Sequence, residues 1–239
     1  MKSINMILWL LFLSISINSY GQQKKLSVDE VIRTAEDVLK KRKQVSYNTK
    51  YTLYSDYSTK EIYEQYKGVF LKKNNVCYVK IKNTEFIAYD NYGLKINNDE
   101  KAIQIRNAAN AAFEESPLSV TAYLKVFENR TIKNDKDFYI CELKPGKISQ
   151  VMLSKVIIYI KKSDLSITKQ LLYYVEKMET KDKNGKKIYT TPRLEITFSN
   201  RIIDNKKDDL LIKRDNYFTV KGSDIKLSQR FSGYKLFKS

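Results

Sequence analysis

Residues 68–97 read GVFLKKNNVCYVKIKNTEFIAYDNYGLKIN, and this stretch decides the fold class. Its apolar runs are short and rich in Val and Ile, and they break at Asn74-Asn75 and Asn91-Tyr92-Gly93, residue types that suit tight turns. Short runs between turn signals predict antiparallel strands near 76–82, 85–90 and 93–97. The pattern extends in both directions. Tyr, Thr, Val and Ile dominate from Val45 to Arg106, adding strands near 45–57, 61–73 and 101–107, with a further break at Asn97-Asn98.

Upstream, Ser27 and Glu30 have the spacing of a capping box, and Leu26 with Val31 occupies the hydrophobic-staple positions. Val28, Val31, Ile32, Ala35, Val38 and Leu39 recur on one helical face, and Lys40, Lys41 and Arg42 complement the dipole at its end. A helix is predicted over about residues 28–41. Downstream, residues 108–128 break the strand pattern. The stretch from Asn107 to Phe113 is rich in alanine, Ser116-Pro117 offers an N-cap followed by proline, and Val120, Tyr123, Leu124 and Phe127 give a helical face.

A second β block follows, with strands from Phe138 to Leu143, Val151 to Lys161, Ile167 to Met178 and Ile188 to Phe198. Asn184-Gly185 is a two-residue hairpin signal between the last two. After a polar break from Asp204 to Asp208, the segments Leu210 to Lys213, Tyr217 to Lys221 and Ser232 to Phe237 read as closing strands. No linker or repeat divides the blocks. The order predicts one α+β domain: a single large curved antiparallel sheet, with helices covering its concave face. Helices across such a face leave an apolar space between the layers, which suits a greasy ligand.

The chain begins as an exported protein does. Met1-Lys2 is a short positive start, Met6 to Ile17 is an apolar run too short for a comfortable membrane span, and Ser19-Tyr20-Gly21 offers a small-x-small cleavage site. Residues 1–21 therefore read as a signal peptide and 22–239 as one mature domain, periplasmic or secreted. No cysteine follows the cleavage point, which argues against a lipid anchor.

Composition then narrows the chemistry. Histidine is absent, which excludes histidine-based nucleophilic triads and histidine zinc sites. The carboxylate pairs Glu114-Glu115 and Asp208-Asp209 are adjacent in sequence, so in strands they point apart and in loops they face water. No catalysis, metal or cofactor is expected. The net charge of +17 comes from scattered Lys and Arg; in an exported chain it implies a solvated surface or transient contact with anionic head groups, rather than nucleic acid. Cys77 and Cys141 each sit in a strand-like run, where a disulfide and buried free thiols both fit.

The block order resembles the superfamily of periplasmic lipoprotein carriers of the LolA/LolB type. Gly68 to Lys73 is similar to a strand that opens on glycine and ends in a basic turn, and Glu85 to Ile96 is similar to the hairpin that follows. Ser116-Pro117-Leu118, Cys141 to Pro145, and Lys183-Asn184-Gly185 followed by Leu194 to Phe198 resemble the family's later helix, strand end and hairpin. The resemblance implies a half-barrel that holds a lipid or lipoprotein acyl group without catalysis, acting as a monomer. Phe70, Val79, Ile81, Phe86, Leu94, Ile158, Ile160, Leu194 and Ile196 are the expected cavity lining; each also fits an ordinary core. The alternative on the same fold is an envelope interaction or sensor domain that binds a protein partner. An open inner face favours the carrier, a plugged one the partner.

Overall fold

In a computed structural model, residues 26–107, 116–147, 151–181, 184–222 and 224–238 are described. The signal-peptide reading and the Glu114-Glu115 pair lie outside these residues. Helix α1 (Val28–Lys41) forms as its sequence predicts: Ser27 Oγ accepts from the Glu30 amide (3.1 Å) and the Glu30 carboxylate accepts from the Ser27 amide (2.9 Å). The strands of the first block are β1 (Gln44–Tyr54), β2 (Ile62–Lys73), β3 (Val76–Ile81), β4 (Thr84–Ala88), β5 (Tyr92–Asn97) and β6 (Ala102–Asn107). The second block holds β7 (Asn129–Asn134), β8 (Phe138–Lys144), β9 (Leu153–Lys161), β10 (Ile167–Tyr174), β11 (Met178–Lys181), β12 (Lys187–Thr190) and β13 (Arg193–Asn200).

The C-terminal segment adds helix α2 (Asn205–Ile212) and strands β14 (Phe218–Lys221), β15 (Asp224–Leu227) and β16 (Lys235–Lys238). Twelve strands make one open, curved sheet in the order β16-β6-β5-β4-β3-β2-β1-β13-β10-β9-β8-β7. Every pairing is antiparallel except that of β16, which runs parallel to β6. Register shifts between Leu53 and Tyr54, and near both ends of β10, are the bulges that let so wide a sheet bend.

Four expectations change. The segment from Leu210 to Lys213 belongs to a helix rather than a strand, because Asp204 caps α2 by accepting from the Lys207 amide (3.2 Å). The predicted helix after Ser116-Pro117 is a 3₁₀ turn, Val120–Lys125, which starts on the β-branched Val120 and Thr121 and has no side-chain cap. The strand from Ile167 to Met178 breaks after Tyr174, and β11 leaves the sheet with β12 as a two-stranded ribbon. Its register, Lys181 with Lys187, makes the connection around Asn184-Gly185 longer than two residues, with Gly185 at φ +78°.

Each face has its own core. On the inner face, α1 and the 3₁₀ turn bury Val31, Ile32, Ala35, Leu118, Val120, Leu124 and Phe127 against Tyr47, Phe70, Val79, Cys141, Leu143, Val156, Ile158 and Ile160. On the outer face, the C-terminal segment buries Tyr217, Phe218 and Phe231 against Leu71, Tyr78, Ile87, Leu94, Ile96, Ile103 and Ile105. Over β9 and β10 the outer face is dressed differently. Lys155 lies 4.3 Å from the Tyr173 ring and Lys169 lies 4.0 Å from the Tyr159 ring, so part of the basic excess shields aromatic surface.

Cys77 and Cys141 are free and buried. They stand on β3 and β8, with β2, β1, β13, β10 and β9 between them. At about 4.8 Å per strand step that is far beyond the roughly 7 Å a disulfide tolerates, so the pairing left open by the sequence does not form. Burial pushes both thiols up to about 12. Two thiols per chain should therefore react with a thiol reagent in denaturant without reductant, and neither in the native state at pH 8. A single disulfide in the unreduced protein, or fast native labelling, contradicts this. The sign for stability follows: the neutral thiols favour the fold fully below their ordinary range near 9, and that contribution is lost as pH climbs toward 12.

Candidate functional site

Cross-strand register sorts the expected cavity residues by face. Phe70 pairs with Val79, Val79 with Phe86, and Gly68 with Ile81, which puts these side chains on the inner face, the side of the sheet that carries α1. Ile158 opposite Cys141, Ile160 opposite Tyr139, and Leu194 and Ile196 opposite Leu53 and Tyr51 continue that face. Leu94 differs from the others: it borders the cleft over β3 to β6, but its side chain faces the other way. It pairs with Ile87, which pairs with Tyr78, and so points to the outer face into the C-terminal core. The neighbouring strands β3 and β4 bury side chains on both faces, so their apolar runs are nearly continuous and do not reveal which face Leu94 shares.

Most of the inner face is filled. Phe70, Ile158 and Ile160 are fully buried, and Val79 and Ile196 nearly so. Between α1 and the sheet, near Leu39, Tyr47, Leu118 and Ile167, only about 10 Å³ remains. Polar contacts fix the plug. Glu36, buried on α1, accepts from the Thr121 amide (2.7 Å) and the Thr121 hydroxyl (2.9 Å), and pairs with Lys40 (2.6 Å). Arg130 on β7 clasps Asp29 of α1 through both carboxylate oxygens (2.7 and 2.6 Å) and donates to the carbonyls of Phe127 (2.7 Å) and Leu124. The Gln170 amide donates to the Pro117 carbonyl (2.6 Å), and the Lys72 ammonium to the Arg42 carbonyl at the end of α1 (2.6 Å).

Room remains over β3 to β6. A cleft of about 80 Å³ opens there, lined by Cys77, Val79, Phe86 and Ala88 below and by Lys95, Gln104, Arg106 and Ser116 at its sides. Phe86 in its floor is half-buried, and Ile81, Tyr66 and Leu194 are further half-buried apolar residues packed against the inner core. Of the expected lining residues, Val79, Phe86 and Leu94 border the cleft, and Ile81 lies on the same inner face of β3, while Phe70, Ile158, Ile160 and Ile196 belong to the filled core. Lys95, Gln104 and Arg106 were not foreseen. In sequence they are the polar positions of alternating strands, LKI and IQIR, and read as ordinary solvent-facing residues.

A second, more open groove of about 670 Å³ lies between the β1–β2 connection and the β11–β12 ribbon, lined by hydroxyls and carboxylates such as Ser55, Asp56, Glu61, Glu179 and Thr180. Around it Ile62, Tyr63 and Tyr189 are exposed.

Among the described residues, the pair Asp208-Asp209 assembles nothing resembling a reaction centre. Asp208 is buried, bound to Arg201 and to the Asp204 amide, and Asp209 pairs with Lys73; both anchor α2 to the sheet. Among the described residues no cluster of His, Cys, Asp and Glu could hold a metal ion, and no helix is long and apolar enough to cross a membrane.

No family profile and no curated protein matches this chain in sequence. Solved structures do match it in fold. A LolA superfamily protein from Nitrosomonas europaea is 13% identical over 76% of this chain and 96% of its own, with a TM-score of 0.34. A conserved protein from Thermus thermophilus is 8% identical over 88% and 98%, with a TM-score of 0.42. The Mycobacterium tuberculosis lipoprotein LppX is 10% identical over 74% and 97%, with a TM-score of 0.34. The solved structures similar to this chain thus include LolA-like proteins, the superfamily that its block order resembles.

Proposed function

We propose that the protein is a non-catalytic binding protein for an apolar ligand, a lipid or a lipoprotein acyl group, engaged on the inner face over β3 to β6. The observation that carries this reading is the cleft over Cys77, Val79, Phe86 and Ala88, floored by apolar side chains and left open beside a helix-covered part of the sheet. About 80 Å³ admits the end of an alkyl chain, well short of the 300 Å³ or more of an ordinary ligand pocket. At about 0.8 kcal/mol per methylene removed from water, a few methylenes in the cleft already give useful, exchangeable affinity. A longer chain lies along Phe86, Ile81 and Tyr66, or displaces the 3₁₀ turn. The same proposal takes residues 1–21 as an export signal and 22–239 as one monomeric domain in the periplasm or outside the cell.

A second reading, docking of a protein partner, is favoured by the plug that α1 and the 3₁₀ turn form over the rest of the inner face. One experiment separates the two. The protein is purified from its own envelope, its intact mass is checked for a start at Gln22, and displacement of a neutral apolar dye by alkyl compounds is measured. Ala88→Trp places a large ring in the cleft and should weaken dye binding by more than about tenfold while circular dichroism stays unchanged. Dye binding that is absent, or untouched by Ala88→Trp, removes the cleft reading and leaves the partner.

A further inference from the structure

Helix α2 buries a carboxylate and leaves aliphatic side chains in water. Asp208 is its buried residue, whereas Ile202, just before the helix, is 92% exposed, Leu210 62% and Ile203 38%. Leu211 and Ile212 pack against the outer core, so the face that carries Lys206, Lys207 and Leu210, three and four residues apart, looks outward. The surface beside it is basic. The Arg201 amide donates to the Ser46 carbonyl (3.1 Å), the Gln44 side-chain amide to the Asn205 side chain (3.5 Å), and the Asn74 amide to the Lys43 carbonyl (2.7 Å). With the Lys73–Asp209 pair, these bonds bring the α1–β1 connection and the β2–β3 turn to the same end of the molecule as α2. Lys43, Lys206 and Lys213 are exposed there, and their ammonium groups have no ion-pair partner among the described residues. Of the carboxylates nearby, Asp208 is held by Arg201, Asp209 by Lys73, and Asp204 by the Lys207 amide and ammonium; Asp215 remains exposed.

We infer that this end of the molecule docks on an anionic lipid surface, with Ile202, Ile203 and Leu210 entering the head-group layer and Lys43, Lys206 and Lys213 meeting the phosphates. The inference goes beyond the apolar-ligand reading and does not depend on it. A single exposed aliphatic residue is ordinary, but three together mark a contact surface. Two features favour lipid over protein as its occupant. The patch is aliphatic and flanked by lysine, whereas protein interfaces are enriched in aromatic anchors and depleted of lysine. Lysine also lays its stem on apolar surface while its charge stays in water, as basic residues of interfacial segments do. Each such residue near an anionic bilayer strengthens attachment about fivefold. An eight-residue helix is far too short to span, so the contact is shallow and reversible.

The test is flotation of the purified protein with vesicles of phosphatidylcholine alone and with vesicles in which about a quarter of the lipid is phosphatidylglycerol. Binding to the mixed vesicles should be about tenfold tighter or more, and should fall as salt is raised. Lys43→Gln combined with Lys206→Gln should weaken it about twentyfold. Ile202→Ser combined with Leu210→Ser should weaken it by about tenfold or more. Both pairs change exposed side chains, so circular dichroism and urea unfolding should not move. Ile202→Trp should tighten binding, because tryptophan favours the head-group layer. Equal binding to the two kinds of vesicle overturns the inference, as does mixed-vesicle binding that survives either pair of substitutions. No binding to any vesicle overturns it as well and gives the patch to a protein partner. Displacement of the neutral dye, measured on the same protein, tests the cleft separately.

Discussion

Replacing Arg130 with alanine should cost about 3 kcal/mol of stability and raise uptake of a neutral apolar dye. Arg130 joins three elements. Its guanidinium holds both oxygens of Asp29 on α1, and it donates to the carbonyls of Phe127 and Leu124 at the end of the 3₁₀ turn. Those carbonyls have no continuing helix to bond to, so Arg130 acts as the turn's C-terminal cap. The pair with Asp29 is only partly buried, so solvent screening keeps its own share modest; losing two carbonyl partners under the helix adds the rest. With the cap gone, Leu124 and Phe127 are held by packing alone and the plug over the inner face loosens. Urea unfolding reads the first effect and dye titration the second. A stability loss without greater uptake means the plug does not gate the inner face; unchanged stability means the clasp contributes nothing. Lys at this position keeps the charge but cannot form the fork, and should recover little.

Much of the architecture was legible in the sequence because local rules agreed. The capping box at Ser27 and Glu30, the stripe from Val28 to Leu39 and the Asn-marked turns at 74–75 and 97–98 each correspond to an observed element, with Asn74 at φ 53°. What escaped has definite physical causes. Strand β7 is an edge strand whose two half-buried positions are Arg130 and Ile132, so its alternating burial does not appear as alternating hydrophobicity. Helix α2 has a weak apolar stripe and is held by Asp204, Asp208 and Asp209 instead, so LLIK looked like a strand. Strand β16 pairs with β6 through a connection of well over a hundred residues, which local pattern cannot reveal.

The site was less legible than the fold. A cavity list drawn from apolar strand residues cannot tell core from cleft, since both need the same side chains. Register decides: Val79, Phe86 and Lys95 are one inner-face row, while Tyr78, Ile87 and Leu94 are its outer-face counterpart. The continuous run Val76-Cys77-Tyr78-Val79 was the available signal that β3 is covered on both sides, and it implied a second layer such as the C-terminal segment. The rim cations had no signal at all, because a polar residue that faces solvent and one that borders a cleft occupy the same phase of the strand.

Glu85→Ala should cost about 3 kcal/mol and release the C-terminal layer while leaving the inner-face cleft able to bind. Glu85 is 2% exposed, on β4 and aimed outward. Its carboxylate accepts from the Tyr78 hydroxyl (3.1 Å), the Asn98 amide (3.1 Å) and the Arg230 guanidinium (2.7 Å). Tyr78 is 1% exposed, so without Glu85 its hydroxyl loses its partner away from water. Burial first and the neighbouring carboxylate second hold that phenol protonated well above its ordinary range, consistent with its role as donor. Arg230 is half exposed and regains water, but it gives up its ion-pair partner on the sheet; Phe231 beside it is the wedge of the outer core. Glu85→Gln keeps the shape and an acceptor while removing the charge, so it should fall between wild type and alanine. Limited proteolysis should cut the alanine variant after about residue 201, ahead of the rest of the chain. Dye binding on the opposite face should hold, because the two cores share only the sheet between them. Loss of binding in parallel with cutting would mean that the faces are one cooperative unit, and that the C-terminal layer sets the shape of the cleft from behind.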